Sequence, residues 1–305
     1  MMYQLPPDPF DAAETARLTR RPWLSRRRVQ SVAVVLLMPT MLILFALFGL
    51  KVIERHAAES ATTLTPTVAE RARVDLSRPY DNTPAASWAE GEAGIVAPPP
   101  TQVGPFAADQ VAMVMERVRQ LIIAARLNRH VLATHDAEPV LAQLSTVAAE
   151  DVRAQLRPGN EAETWWVSAK IARGFTLLPS TPRVTGTMTP IVGAGGQLTV
   201  RTNYLVAYAF DHPEPAALTG PLDIVVVDRW EIDYEWFADP AYDAQSQGMY
   251  IAEVRGSAFP VNCALSDKGF LAPDYSNPPI TTGGQSQASE KYFDPNAPIV
   301  TESGC

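Results

Sequence analysis

The chain has 305 residues, 47% of them hydrophobic and 19% charged, with 27 prolines and a net charge of −8. That composition suits a globular protein with room for one large domain or two small ones, and it excludes fibrous and wholly disordered classes. Six of the arginines fall in the first 30 residues, so the excess acid lies beyond residue 56, and that larger part of the chain repels nucleic acid.

In chain order, the first element is a basic arm, 1–30, with Arg17, Arg20, Arg21, Arg26, Arg27 and Arg28 against Asp8, Asp11 and Glu14. Ser31 to Leu50 follows without a charge. A helix of that length spans about 30 Å, the thickness of a bilayer core, so 31–50 predicts a single transmembrane helix. Its apolar core is longer than that of a signal peptide, and "FGLKVIERHAA" offers no small-x-small cleavage site beside it. A retained anchor is therefore expected. The arginines set topology, with the arm in the cytoplasm and the C-terminal part outside the plasma membrane.

Residues 51–105 read as an extracytoplasmic linker, because seven prolines between Pro66 and Pro105 punctuate a polar, Ala/Thr-rich stretch. Order is expected to begin at 106. Val111, Val114, Met115, Val118, Leu121, Ile122 and Ala125 recur at helical spacing and predict a helix over about 107–127. A second helix is expected over about 137–156, entered through Asp136 and stopped by "RPGN". The period then changes to two. "RVTGTMTPIV" (183–192) and "QLTVRTNYLVAYAF" (197–210) flank "GAGG" as a hairpin, and "LDIVVVDRWEIDYEWF" (222–237) and "GMYIAEVRGSAF" (248–259) follow as strands. The stretch from Trp165 to Phe175 reads as either strand or helix. The predicted fold class is α+β: one transmembrane helix, then an outer domain, 106–272, with two helices packed on a curved, cone-like antiparallel sheet of about four strands. Residues 273–305 read as a flexible tail.

Alternation divides the 222–237 strand into two faces. Trp230, Tyr234 and Trp236 share one with Ile232. Together with Tyr204 and Tyr208 they are either core packing or the aromatic lining of a ligand pocket. Glu231, Asp233 and Glu235 share the other face. Three carboxylates in a row could serve acid–base work or a cation, but a solvated strand face is the simpler reading, and a partner-facing surface comes before catalysis. The four histidines, His56, His130, His135 and His212, show no ligand spacing, so no metal, no cofactor and no catalytic set is expected. "GAGG" lacks the Lys-Ser/Thr and the strand-to-helix setting of a phosphate loop. Cys263 and Cys305 are the only cysteines. Outside the membrane they can pair and tie the tail to the domain; otherwise they stay free or cross-link two chains.

"LNRHVLATHDAEPVLAQLSTVAAEDVRAQL" (127–156), the strands "RVTGTMTPIV", "QLTVRTNYLVAYAF" and "DIVVVDRWEIDYEW", and the run from "GMYIAEVRGSAF" through "NCALSDKGFLAP" share a further pattern. With the basic arm, the apolar segment and the Pro-rich spacer, they give the chain a layout over about 30–50 and 106–272. That layout resembles bitopic membrane proteins with a nuclear-transport-factor-like outer domain. Two such groups are the assembly-factor subunits of type IV secretion and conjugation machines and the Mce-associated membrane proteins of actinobacteria. The strong preference for arginine over lysine fits a GC-rich, actinobacterial source. The resemblance is one of layout and assigns no residue a role. It implies a non-enzymatic envelope scaffold of a transport complex that meets the membrane, other envelope proteins and copies of itself. The alternatives are a module binding a lipid or small ligand, and a cone-fold enzyme that pairs His135 with a carboxylate. The expected topology is checked by protease added outside spheroplasts, which should digest the part beyond residue 50 and spare an epitope on 1–30; digestion of that epitope overturns the orientation.

Overall fold

The computed structural model describes residues 74–276 and 290–299. The chain divides into two units, Met1–Thr67 and Val68–Cys305, and all described residues belong to the second. The arm, with its six arginines, and the apolar segment 31–50 lie outside the described residues. No described helix is long and apolar enough to cross a membrane.

Helix α1, Ala108–Arg126, buries its apolar stripe from Val111 to Ala125, and the buried residues also include Arg126. Asp109 in the first turn and Arg126 in the last both suit the helix dipole. Asn128 caps the short α2, Arg129–Thr134, its side-chain oxygen accepting from the amides of His130 and Val131. His135, left-handed at φ 64°, ends α2. Where one helix is expected over 137–156 there are two, α3 (Glu138–Leu141) and α4 (Thr146–Gln155). Tertiary hydrogen bonds explain the break. The amides of Ser145 and Val147 donate to the carbonyls of Met249 and Gln245, and Ser145 Oγ caps the restarted helix. The expected cap, Asp136, takes the amide of Glu138. A last short helix is α5, Cys263–Ser266.

The sheet corrects the expected four strands to five. It is an antiparallel meander of β1 (Ala89–Glu90), β2 (Arg183–Val192), β3 (Leu198–Ala209), β4 (Val225–Phe237) and β5 (Gly248–Phe259), in that order across the sheet. The added strand, β1, comes from the proline-punctuated stretch read as linker. Residues from 74 onward pack on the sheet, burying Tyr80, Ala85 and Ile95. Its described prolines sit in turns (Pro79, Pro105), a 3-10 helix (Pro84) and irregular chain (98–100), outside any strand ladder. Where two helices are expected in the outer domain, the described residues hold five. The Trp165 to Phe175 stretch is neither helix nor strand; its only ladder contact among the described residues is a bridge from Ile171 to Leu271.

Each face of the sheet has its own core. On one, Leu198, Val200, Tyr204, Val206 and Tyr208 of β3 and Val226, Trp230, Ile232 and Tyr234 of β4 pack against α1 and its neighbours. On the other, Leu205, Ala207, Ala209, Val225 and Val227 pack with Tyr80, Ala85, Leu218 and Phe293. The second core therefore includes residues from both 74–85 and the 290–299 segment, although the whole of 273–305 reads as tail in the sequence.

One cross-strand row shows how the first core is shaped. Gly186, Tyr204, Trp230 and Gly256 are register partners across β2 to β5. Two large rings on the central strands are flanked by glycines on the outer ones. A Cβ at Gly186 would lie 2.5 Å from the Tyr204 ring, and one at Gly256 2.7 Å from the Trp230 ring. The rings lean over the space a side chain would fill. Gly256→Ala should therefore cost about 1–3 kcal/mol through overpacking. Gly220→Ala, where a Cβ meets nothing within 4 Å, should change stability by no more than about 0.5 kcal/mol. Urea unfolding of the two variants checks this; equal midpoints would refute the packing account.

Candidate functional site

The five aromatic residues singled out in the sequence all belong to the helix-packed face. Tyr204, Trp230 and Tyr234 line a small chamber with Ile122 and Arg126 of α1 and Thr202, Val206 and Ile232 of the sheet. Tyr208 is fully buried, and its hydroxyl donates to the main-chain carbonyl of Arg126 at 2.8 Å. Trp236 does not line it; it is half-buried against the same core, with the Arg117 guanidinium 5.7 Å from its ring centre. The chamber holds about 10 Å³, the space of one water-sized group. Burial raises the phenols of Tyr204 to about 12 and of Tyr208 and Tyr234 further, so none ionises near neutrality.

The charged residue at the chamber escaped sequence reasoning. Arg126 is 3% exposed. Its Nη2 donates to the carbonyl of Trp166 at 2.6 Å, and its guanidinium lies 4.1 Å from the centre of a Trp230 ring. Among the described residues it forms no ion pair, and Nη1 has no hydrogen-bond partner. The helix dipole offsets about 0.3–1 kcal/mol and a desolvated cation–π contact about 2 kcal/mol. A buried ion costs several kcal/mol, and an unpaired buried donor about 1–3 kcal/mol. Its place was legible: Arg126 stands four residues after Ile122, on the buried stripe.

Asp228 also escaped notice. It continues the Trp230–Tyr234 row toward the start of β4, so strand parity puts it in the core, where it is 1% exposed with Oδ2 unpartnered. Burial raises its carboxyl above the ordinary range, while the Arg126 charge and the side-chain N–H of Trp230 pull it back. Trp236 Nε1, on the same strand, is another buried polar atom without a partner among the described residues.

The acidic row lies on the opposite face, and each member is engaged. Glu231 pairs with Arg229 at 2.9 Å and Arg255 at 3.5 Å. Asp233 receives a bidentate Arg201, with Nη2 to Oδ2 at 2.8 Å. Glu235 accepts from Gln197 Nε2 at 2.7 Å. Glu231 and Asp233 border a polar groove of about 290 Å³ with Thr187, Arg201, Glu253 and Arg255. The β4–β5 register shifts between Ile232 and Tyr234, placing two β5 residues, Ala252 and Glu253, opposite Asp233.

Arg229 closes one end of this face. Its Nη1 donates to the carbonyls of Ala297 and Asp294, and its Nη2 to that of Pro295, so 290–299 is held as a strap across the sheet. Tyr292 stacks on Phe259 with ring centres 3.8 Å apart, and Phe293 is buried. Cys263 is disulfide-bonded; Cys305 lies outside the described residues.

His135 lines neither chamber nor groove. Its Nε2 meets the carbonyl of Ile171 at 2.8 Å, and its ring packs on Phe270. No group of three His, Cys, Asp or Glu with metal-binding geometry occurs among the described residues. Beside the chamber, buried Lys170 donates to Thr164 O and Oγ1 at 2.9 and 3.0 Å, fixing the irregular segment that carries Trp165 and Trp166. Burial lowers its ammonium to about 8. A depressed lysine penalises the fold while charged. The unfolded chain binds the extra proton between about 8 and the ordinary 10.5, so stability rises with pH across that window. Relative to Lys170→Met, the native chain should gain stability between pH 8 and 10 in denaturant titrations; parallel pH profiles would refute the assignment.

No protein-family model, no curated protein and no solved structure matches the chain.

Proposed function

We propose that the protein is a non-enzymatic envelope protein, attached at the membrane through the apolar stretch 31–50, whose outer domain docks subunits of a secretion- or conjugation-type transport complex. One observation carries the reading most directly. The sheet face away from the helices is neither a sealed core nor a bare solvated surface. Its far end is a groove of about 290 Å³ whose charges, Arg201 with Asp233 and Arg255 with Glu231, are arranged in complementary pairs. Side chains held in this way lose little freedom when a polar protein surface covers them, and their mixed signs select a partner by charge register. The side chains of Arg201 and Arg255 remain 60% and 64% exposed, open to a second carboxylate. The chamber on the other face admits one water-sized group, which fits a docking role better than turnover of a substrate.

The sequence layout supports the same reading, with a basic arm, an apolar segment and an acidic domain beyond it. A photo-crosslinking residue placed at Thr189, on the groove, should capture envelope proteins in living cells, and Arg201→Gln combined with Arg255→Gln should abolish the capture while the domain stays folded by circular dichroism, since the arginines are the exposed members of their pairs. Recovery of the chain alone, in cells where the crosslinker reacts, sinks the scaffold role.

A further inference from the structure

The strap shows how this face of the sheet holds another stretch of chain. Asp294 to Ala297 forms a reverse turn. The amide of Ala297 donates to the carbonyl of Asp294 at 3.2 Å, and the amide of Asn296 to the Asp294 carboxylate at 2.8 Å. Proline stands second in the turn, where its fixed φ belongs. The turn sits with its carbonyls toward the sheet. Arg229 donates to those of Asp294, Pro295 and Ala297, and Asn203 Nδ2 donates to that of Pro295 at 2.7 Å. Arg229 does so while its Nη2 is also paired with Glu231. A guanidinium carries five N–H donors in a planar fork, so one carboxylate leaves several for a backbone.

The groove repeats this layout further along the strands. Asn203, Glu231 and Arg255 are register partners in the next row on this face, and Thr189, Arg201 and Asp233 in the row beyond. Asn203 and Glu231 belong to both places: one bonds the strap, the other holds Arg229, and both line the groove. Arg201 gives Nε and Nη2 to Asp233, and its Nη1 has no partner among the described residues. Arg255 meets Glu231 at 3.5 Å and makes no other polar contact there. Each is a carboxylate-held guanidinium with donors to spare, as Arg229 is beneath the strap. The groove already carries three carboxylates, Glu231, Asp233 and Glu253, so a neutral carbonyl enters it at less electrostatic cost than a fourth acid.

Glu253 sets the charge of what enters. The β4–β5 bulge brings it opposite Asp233. It forms no ion pair among the described residues, whereas Glu231 and Asp233 each have an arginine. With two arginines against three carboxylates the groove is one base short.

We propose that the groove receives a proline-type reverse turn of the partner protein, carbonyls inward. Arg201 Nη1 and Arg255 donate to main-chain carbonyls of that turn, and a lysine or arginine beside it pairs with Glu253. The assignment rests on the docking role proposed for this groove and names the element that docks.

The probe is the strap's own turn with a base added, acetyl-Asp-Pro-Asn-Ala-Lys-amide. It is titrated into the full chain in detergent and followed by the backbone amide resonances of Thr187 and Thr189, which lie on the groove. Both should shift and saturate, while those of Asn296 and Ala297 in the strap stay in place. Glutamate in place of the peptide's lysine, or Glu253→Gln in the chain, should weaken binding by at least about 3-fold, within the range of one exposed ion pair. Arg201→Gln combined with Arg255→Gln should abolish the saturable shift, with circular dichroism unchanged. The assignment is overturned if no shift saturates, if the lysine and glutamate peptides bind equally, or if binding survives the loss of both arginines. The crosslinker at Thr189 separates this failure from that of the docking role. Capture of an envelope protein without peptide binding leaves the docking role and removes the turn; absence of both removes the two together.

Discussion

The junction between the end of α1 and the middle of the sheet is the contact on which the rest of the domain depends. At one residue, Arg126, the helix gives its main-chain carbonyl to Tyr208 of β3, stacks its guanidinium on Trp230 of β4 and donates to the carbonyl of Trp166. The residue before it, Ala125, accepts the amide of Ala169 at its carbonyl. One helical turn therefore fixes two central strands and the irregular segment that carries Trp165 and Trp166. These are polar bonds in a low-dielectric interior, where directionality is enforced and a lost partner is expensive. The apolar stripe of α1 supplies adhesion without register. The Arg126 cluster supplies register.

The two faces of the sheet solve different problems. The helix-packed face seats large rings by giving them glycine neighbours, as in the row from Gly186 to Gly256. The opposite face is apolar at one end, under residues 74–85 and the 290–299 strap, and polar at the other. Arg229 marks the boundary. It is 5% exposed and bonds three main-chain carbonyls of the strap, as well as Glu231. A buried arginine with every direction satisfied contrasts with Arg126, which lacks a partner at one nitrogen.

Burial by itself explains most of the perturbed titrations. The tyrosines, Asp228 and Lys170 all shift toward their neutral forms. They cluster around the end of α1 and the central strands it packs on, where charge is least solvated. The outer acidic row lies under solvent, with a basic or amide partner beside each carboxylate, and serves as a surface of paired charges.

The sequence by itself determined the α+β class, the stripe that makes α1, and the alternation that puts Trp230 and Tyr234 on one face and Glu231 and Asp233 on the other, because these depend on local periodicity. The same parity, carried two residues further back, placed Asp228 in the core, and the spacing from Ile122 placed Arg126 there; both were legible and were hidden only by their charge. Other features were decided by tertiary structure alone. The break at Ser145 follows from an amide claimed by β5. The fifth strand and the packing of 74–105 follow from contacts that proline-rich composition conceals. The ordered strap follows from Arg229, some 65 residues away in sequence. The conversion of an apparent acidic row into ion pairs follows from which residues β3 and β5 happen to present opposite it. Each is a long-range contact, and no local pattern of residues encodes the identity of a neighbour that distant in the chain.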